Sequence, residues 1–232
     1  MGFFRLLSVY ELNDAPVRDD RIVRPVYLEF VTDTRVDSIM ADNLVSVIEK
    51  HVMPLNELAR TKLVAAIIEA MQNVLDHAQP NAEPGQKMSK RWWMSSRISI
   101  AENEVVILFF DQGIGIPGTL HPDLYDRIRA AVSGMARFRS LTAQPSDGQM
   151  IMAATEKYRT STAGSSRGRG FQNMKRFVDQ CLDGELRVLS NRGRYSYIGS
   201  AHESFGDEEI SVGGTVIEWR FRHLGSVDMQ DE

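Results

Sequence analysis

Four short stretches hold residues whose types and spacing could do chemistry. In "EAMQNVLDHA" (residues 69–78), Glu69, Asn73 and Asp76 fall within about a quarter-turn of one another on a helix, with His77 beside them. Val64, Ile68, Met71, Leu75 and Ala78 occupy the opposite side at the spacing of a core-facing stripe. Taken alone, that polar column is the solvated back of an ordinary amphipathic helix. In "FFDQGIGIP" (109–117), Asp111 ends an apolar run that reads as a strand, so its carboxylate is a fixed acceptor suited to the exocyclic amine of a base. Gly113 and Gly115 let the backbone turn sharply and approach a flat ligand. The plain alternative is a glycine-rich turn in which Asp111 makes a local bond.

The third stretch, "SSRGRGFQNMKRF" (165–177), sets a glycine pair at the start of a helical pattern. Free backbone N–H groups and the positive helix end make such a place a phosphate cradle, and Arg167 and Arg169 add charge. It is not the P-loop, which requires G-x-x-x-x-G-K-[ST]. An ordinary helix-entry loop with solvated arginines is the alternative. Further on, "VGGTVIEWRF" (212–221) puts Thr215 at the start of a strand, where its hydroxyl can donate to and accept from a ring nitrogen or an ordered water.

These segments need elements to position them. Residues 23–31 read as a strand with an early Pro25, followed by a short helix around "ADNLVSVIEKH" and a long helix over about 55–78 restarted by Pro54. "WWMSSRISIA" and "EVVILFF" read as an antiparallel hairpin turning at Glu102 and Asn103. Trp92 and Trp93 must then point to opposite faces of the sheet, one of them available to a partner. Residues 118–167 carry helical patterns near 123–138 and 148–159 between polar ends, which suggests a lid without a core of its own. A helix "FQNMKRFVDQCL" follows, then strands "GELRVLS", "RYSYIG" and "GTVIEWRF". "HESFGDEEIS" reads as an acidic loop, and 224–232 as a frayed tail. The irregular mixture favours one α+β domain over 1–232: a two-layer sandwich of helices on a mixed, largely antiparallel sheet.

The chain has 232 residues with 27 basic and 31 acidic side chains, a net charge of −4 that gives no global case for nucleic acid or anionic membrane. Its single cysteine, Cys181, excludes an internal disulfide and a cysteine-based zinc site, and sits in an apolar pattern as a core residue. No apolar run approaches the roughly 20 residues that span a bilayer. A reducing cytoplasm fits these features.

In this order, helix E-x-x-x-N, strand-end D-x-G-x-G, G-x-G before a helix and late-strand G-T, the segments resemble the GHKL superfamily with its Bergerat ATP-binding fold. The resemblance covers about residues 23–222. It implies ATP and Mg²⁺ as cofactors. Asn73 would be the magnesium ligand, and Glu69 the group that orients or deprotonates an attacking water or hydroxyl. Asp111, with Thr215, would read adenine; Gly113 and Gly115 would pass under the nucleotide; and Arg167, Gly168, Arg169 and Gly170 would lie along the phosphates. Asp76 and His77 fall in the variable part of the motif, and their roles stay open. The second glycine motif departs from the usual G-x-G-L-G, with Gln172 in place of a glycine, so lid closure and phosphate contact are in question.

Too little chain precedes the motif helix for the phosphoacceptor domain of a self-phosphorylating sensor kinase. "EAMQNVLDHA" is closest in form to the anti-sigma-factor-type serine kinases. The expectation is therefore a stand-alone, cytoplasmic regulatory kinase or ATPase acting on a protein partner such as a STAS-domain-like regulator. No nucleic acid or membrane is expected as partner, and the oligomeric state is open. The alternative is a non-catalytic, ATP-gated interaction module whose lid recognises a partner.

Overall fold

The structure is a computed structural model and describes residues 25–51, 54–77, 90–120, 145–160, 170–181, 183–199 and 202–222. Along the chain run β1 (Val26–Asp33), α1 (Ser38–His51), α2 (Glu57–His77), β2 (Trp92–Ser99), β3 (Glu104–Asp111), α3 (Gly115–Thr119) and α4 (Asp147–Thr160). They are followed by α5 (Gly170–Val178), β4 (Glu185–Ser190), β5 (Gly193–Ile198), β6 (His202–Asp207) and β7 (Thr215–Arg222). The two long early helices start on side-chain caps. Asp37 Oδ1 accepts from the Met40 N–H at 2.9 Å, and Asn56 Oδ1 from the Ala59 N–H at 2.8 Å.

The strands form one seven-stranded sheet in the order β1-β2-β3-β7-β4-β5-β6. Every pairing is antiparallel, so the expected mixed sheet gives way to a uniformly antiparallel one among the described residues. The β2–β3 hairpin forms as its alternation predicts, with Ser99 opposite Glu104 and Asn103 in the left-handed region at φ 51°. Alternate side chains of the central strands point to one face: Trp92, Met94 and Ile98; Val105, Ile107 and Phe109; Ile217, Trp219 and Phe221. The helices cover that face, giving the α+β two-layer architecture. Trp92 stacks on Phe109 with ring centres 5.8 Å apart, and Phe177 of α5 meets Phe221 edge-on at 4.9 Å. Each such buried ring contributes about 1.5–3 kcal/mol. On the other face Trp93 is half-buried against Phe110, 5.5 Å away.

Three expectations change. The buried stripe of α2 runs through Ala59, Leu63, Ala66, Ile67, Ala70, Met71 and Val74; of the expected stripe Met71 is buried, Val64, Ile68 and Leu75 are half-buried, and Ala78 lies outside the described residues. Apolar residues on both flanks leave the period intact but its orientation ambiguous. Packing of α2 between the sheet and its neighbouring helices settles that orientation, turning the helix by about one residue. The acidic "HESFGD" is strand β6, not loop. Glu203 and Phe205 pair with Tyr197 and Tyr195 of β5 and face inward, Glu203 to Lys175 and Phe205 to the core. Finally, α4 lies within the expected lid of 118–167, yet Ile151, Met152, Ala154 and Thr155 are all buried and the helix packs on β5 and β6. A run buried on successive residues is enclosed on all sides. Residues 150–155 of that stretch are core, and the helical pattern near 123–138 lies outside the described residues.

Candidate active site

Asp111 is the last residue of β3, and Thr215 the first of β7 directly opposite it. Two motifs about a hundred residues apart are thus joined by sheet register alone. Asp111 is buried at 8% exposure; its Oδ1 accepts the Gly113 N–H at 2.7 Å, and the Thr215 hydroxyl bonds to it as well. Burial pushes its pKa up to about 6, with the Gly113 and Thr215 hydrogen bonds partly opposing. An acceptor-only group held this way, at the mouth of a strand, is suited to an amine donor from outside. The local turn bond to Gly113 engages Oδ1 and does not exclude a further donor at the carboxylate.

Two glycines are required here by geometry. Gly115 takes φ 77°, and a Cβ on it would stand 2.6 Å from Asn191 Nδ2. Gly214, at φ 145°, passes so close to β3 that a Cβ would stand 2.0 Å from the Asp111 carbonyl oxygen.

The second cluster lies where α2 meets α5. A Cβ on Gly170 would lie 3.2 Å from Glu69 Oε2 and 3.4 Å from Asn73 Nδ2, so the absent side chain lets the start of α5 close on both groups. Glu69 and Asn73 are half-buried, and Asp76 is exposed and bonded to Gln72 at 2.9 Å. Burial, helped by the nearby Asp76 charge, raises the Glu69 pKa from its ordinary value. That is the direction expected of a proton acceptor working near neutrality.

Both clusters sit at the same end of the domain. Trp92 pairs with Asp111 in the sheet, and its indole N–H donates to the Arg35 carbonyl at 2.9 Å. Two residues on, the Asp37 N–H points at Met71 Sδ, 3.5 Å away, at the level of Glu69 and Asn73. Gly170 begins α5, whereas Arg167, Gly168 and Arg169, like the side chain of His77, lie outside the described residues. Gln172, which stands where the resemblance expects a glycine, donates from Nε2 to the Thr155 carbonyl of α4 at 3.3 Å. Cys181 is partly buried with its thiol pushed up to about 12 by burial and the Asp179 charge, as befits a core residue.

The family described as histidine kinase-, DNA gyrase B-, and HSP90-like ATPase matches residues 59–223, most of the chain. The chain belongs to that family. It is a GHKL-type ATP-binding domain. No curated protein matches it. No described helix is long and apolar enough to cross a membrane. Sequence reasoning missed Ser190 and Asn191, which join β4 to the loops on either side of Asp111. Ser190 is fully buried, and its Oγ lies 3.0 Å from Thr215 Oγ1 and accepts the Ile116 N–H at 2.8 Å. The signal that could have found them is the "SNRG" turn between two strand patterns.

Proposed function

We propose that this GHKL domain is a regulatory ATPase or protein kinase that passes the γ-phosphoryl group of ATP to a hydroxyl of a protein partner, such as a STAS-domain-like regulator. The observation that carries this reading is the placement of a raised-pKa carboxylate, Glu69, one helical turn from Asn73 and against Gly170, at the same end of the domain as Asp111 and Thr215. Asp111 accepts from the adenine amine, and Thr215 supports it. Gly113 and Gly115 carry the backbone beneath the nucleotide. Gly170 lies along the phosphates at the positive end of α5, and Arg167, Gly168 and Arg169, which the resemblance assigns to the phosphates, are outside the described residues.

Among the described residues no group of three or more His, Cys, Asp or Glu could hold a metal unaided. A single neutral amide, Asn73, fits magnesium held mainly by phosphate oxygens and water. When bound, that ion neutralises charge on the phosphates. Glu69 takes the proton from the attacking hydroxyl as its oxygen bonds to the γ-phosphorus. The bond between that phosphorus and the bridging oxygen breaks, and ADP leaves.

The second reading, an ATP-gated interaction module without phosphotransfer, is favoured by Gln172. Its side chain is spent on α4 at a position where the resemblance expects a glycine beside the phosphates. Transfer of label from γ-labelled ATP to a co-purified partner or to water separates the two. Label on neither, with ATP bound, leaves only the second.

A further inference from the structure

The end of β4 and the turn that joins it to β5 belong to none of the four motifs, yet Ser190 and Asn191 there are bonded to both loops that flank Asp111. Asn191 sits in the left-handed region at φ 51°. Its Nδ2 donates to the Ile114 carbonyl at 2.9 Å, inside the D-x-G-x-G segment. Its backbone N–H donates to the Gly214 carbonyl at 3.0 Å, and its own carbonyl accepts the Val212 N–H at 2.9 Å. Ser190 continues the connection through its hydroxyl, to Ile116 on one side and Thr215 on the other.

Ser190 Oγ also donates to the Gly214 carbonyl at 3.3 Å, so this one hydroxyl ties the Ile116 N–H, the Gly214 carbonyl and the Thr215 hydroxyl together.

We propose that Ser190 and Asn191 are positioning residues that fasten the loop of residues 113–116 to the loop of residues 212–215 at the separation where adenine is read, and so set base selectivity. This rests on the reading of Asp111 as the adenine acceptor. Adenine offers Asp111 a donor amine, whereas guanine offers a carbonyl oxygen at the corresponding position. Discrimination depends on holding the acceptor and the surrounding loops fixed, because a loose pocket can turn its groups away from the wrong base.

The test is calorimetric titration of ATP and GTP into wild-type protein and the Asn191→Gly and Ser190→Ala variants, with hydrogen exchange at the Ile116 amide. Glycine is at home at φ 51°, so Asn191→Gly deletes the amide bond to Ile114 while keeping the turn. The expected result is ATP affinity about five- to ten-fold weaker in each variant, with GTP affinity little changed. Ser190→Ala should also speed exchange at Ile116, whose partner it removes. A folded Asn191→Gly with the wild-type ATP-to-GTP ratio overturns the positioning role while leaving the adenine reading intact. Wild-type protein that binds ATP and GTP alike, or binds neither, overturns the adenine reading and this inference together.

Discussion

Replacing Asp111 by asparagine should make the unliganded protein more stable and a poorer ATP binder, and the stability gain should depend on pH in a defined direction. In the folded chain Asp111 holds its proton up to about pH 6, against an ordinary value of 3.8. Between those two values the native state binds more protons than the unfolded chain, so this group's contribution to stability falls as pH rises through the window and is flat above it. At 1.36 kcal/mol per pKa unit, the cost of keeping Asp111 ionised in the empty site is about 3 kcal/mol at pH 7.5 and about half that at pH 5. Asparagine occupies nearly the same space, retains an oxygen for the Gly113 N–H and carries no charge, so Asp111→Asn should recover much of that cost. In a domain of this size 2 kcal/mol corresponds to a rise of about 4–8 °C in Tm. ATP affinity should fall about ten-fold or more, because the amide can present a donor to the adenine amine in place of an acceptor. Thermal melts at pH 7.5 and pH 5, with calorimetric ATP titration, measure both halves. A variant less stable than wild type at pH 7.5, or a gain as large at pH 5, would refute the burial argument. Unchanged ATP affinity would refute the adenine assignment.

Glu69→Ala should leave nucleotide binding largely intact and abolish turnover, whereas Asn73→Ala should weaken magnesium-dependent nucleotide binding; wild-type turnover in both would show the catalytic face to be misassigned. Lys175 is buried, 2.9 Å from Glu203 and about 5 Å from the ring centres of Tyr195 and Tyr197, so Lys175→Met should cost about 1–3 kcal/mol in urea unfolding by leaving Glu203 without its partner. A Lys175→Met protein as stable as wild type would mean that the pair is solvated. Gln172→Ala should lower stability by about 1 kcal/mol through loss of the bond to Thr155, with ATP affinity within about two-fold of wild type; a large loss of affinity would place the Gln172 side chain at the nucleotide instead.

Asp111 and Thr215 were legible because each lies where an apolar strand pattern meets glycine, and a side chain at such a boundary points out of the sheet's end. Their partnership was not legible from periodicity, since the strand order that puts β7 between β3 and β4 is set by long-range pairing. Ser190 and Asn191 were missed for the same reason: Ser190 meets Thr215 only because β4 pairs with β7. On α2, the apolar residues at 63, 67, 70 and 74 compete with those at 64, 68, 71 and 75, so the sequence shows a helix without showing which way it faces. Strand β6 was hidden by its acids. Glu203 reads as a surface residue until Lys175 arrives from α5 to neutralise it.

The same long-range logic bears on Gln172. A glycine there would weaken the first turn of α5 by about 1 kcal/mol relative to an ordinary helix former. Glutamine strengthens that turn and adds the bond to Thr155, while Lys175, three residues on, fixes the helix to β6. The donors that a helix start offers to phosphate are backbone N–H groups, and these do not depend on the side chain at 172. Both ends of the site therefore rest on hydrogen-bonded anchors: Ser190 and Asn191 hold the loops flanking Asp111, and Gln172 and Lys175 hold the helix that begins at Gly170. The departure from the family pattern removes a flexible point from α5 without removing a phosphate donor.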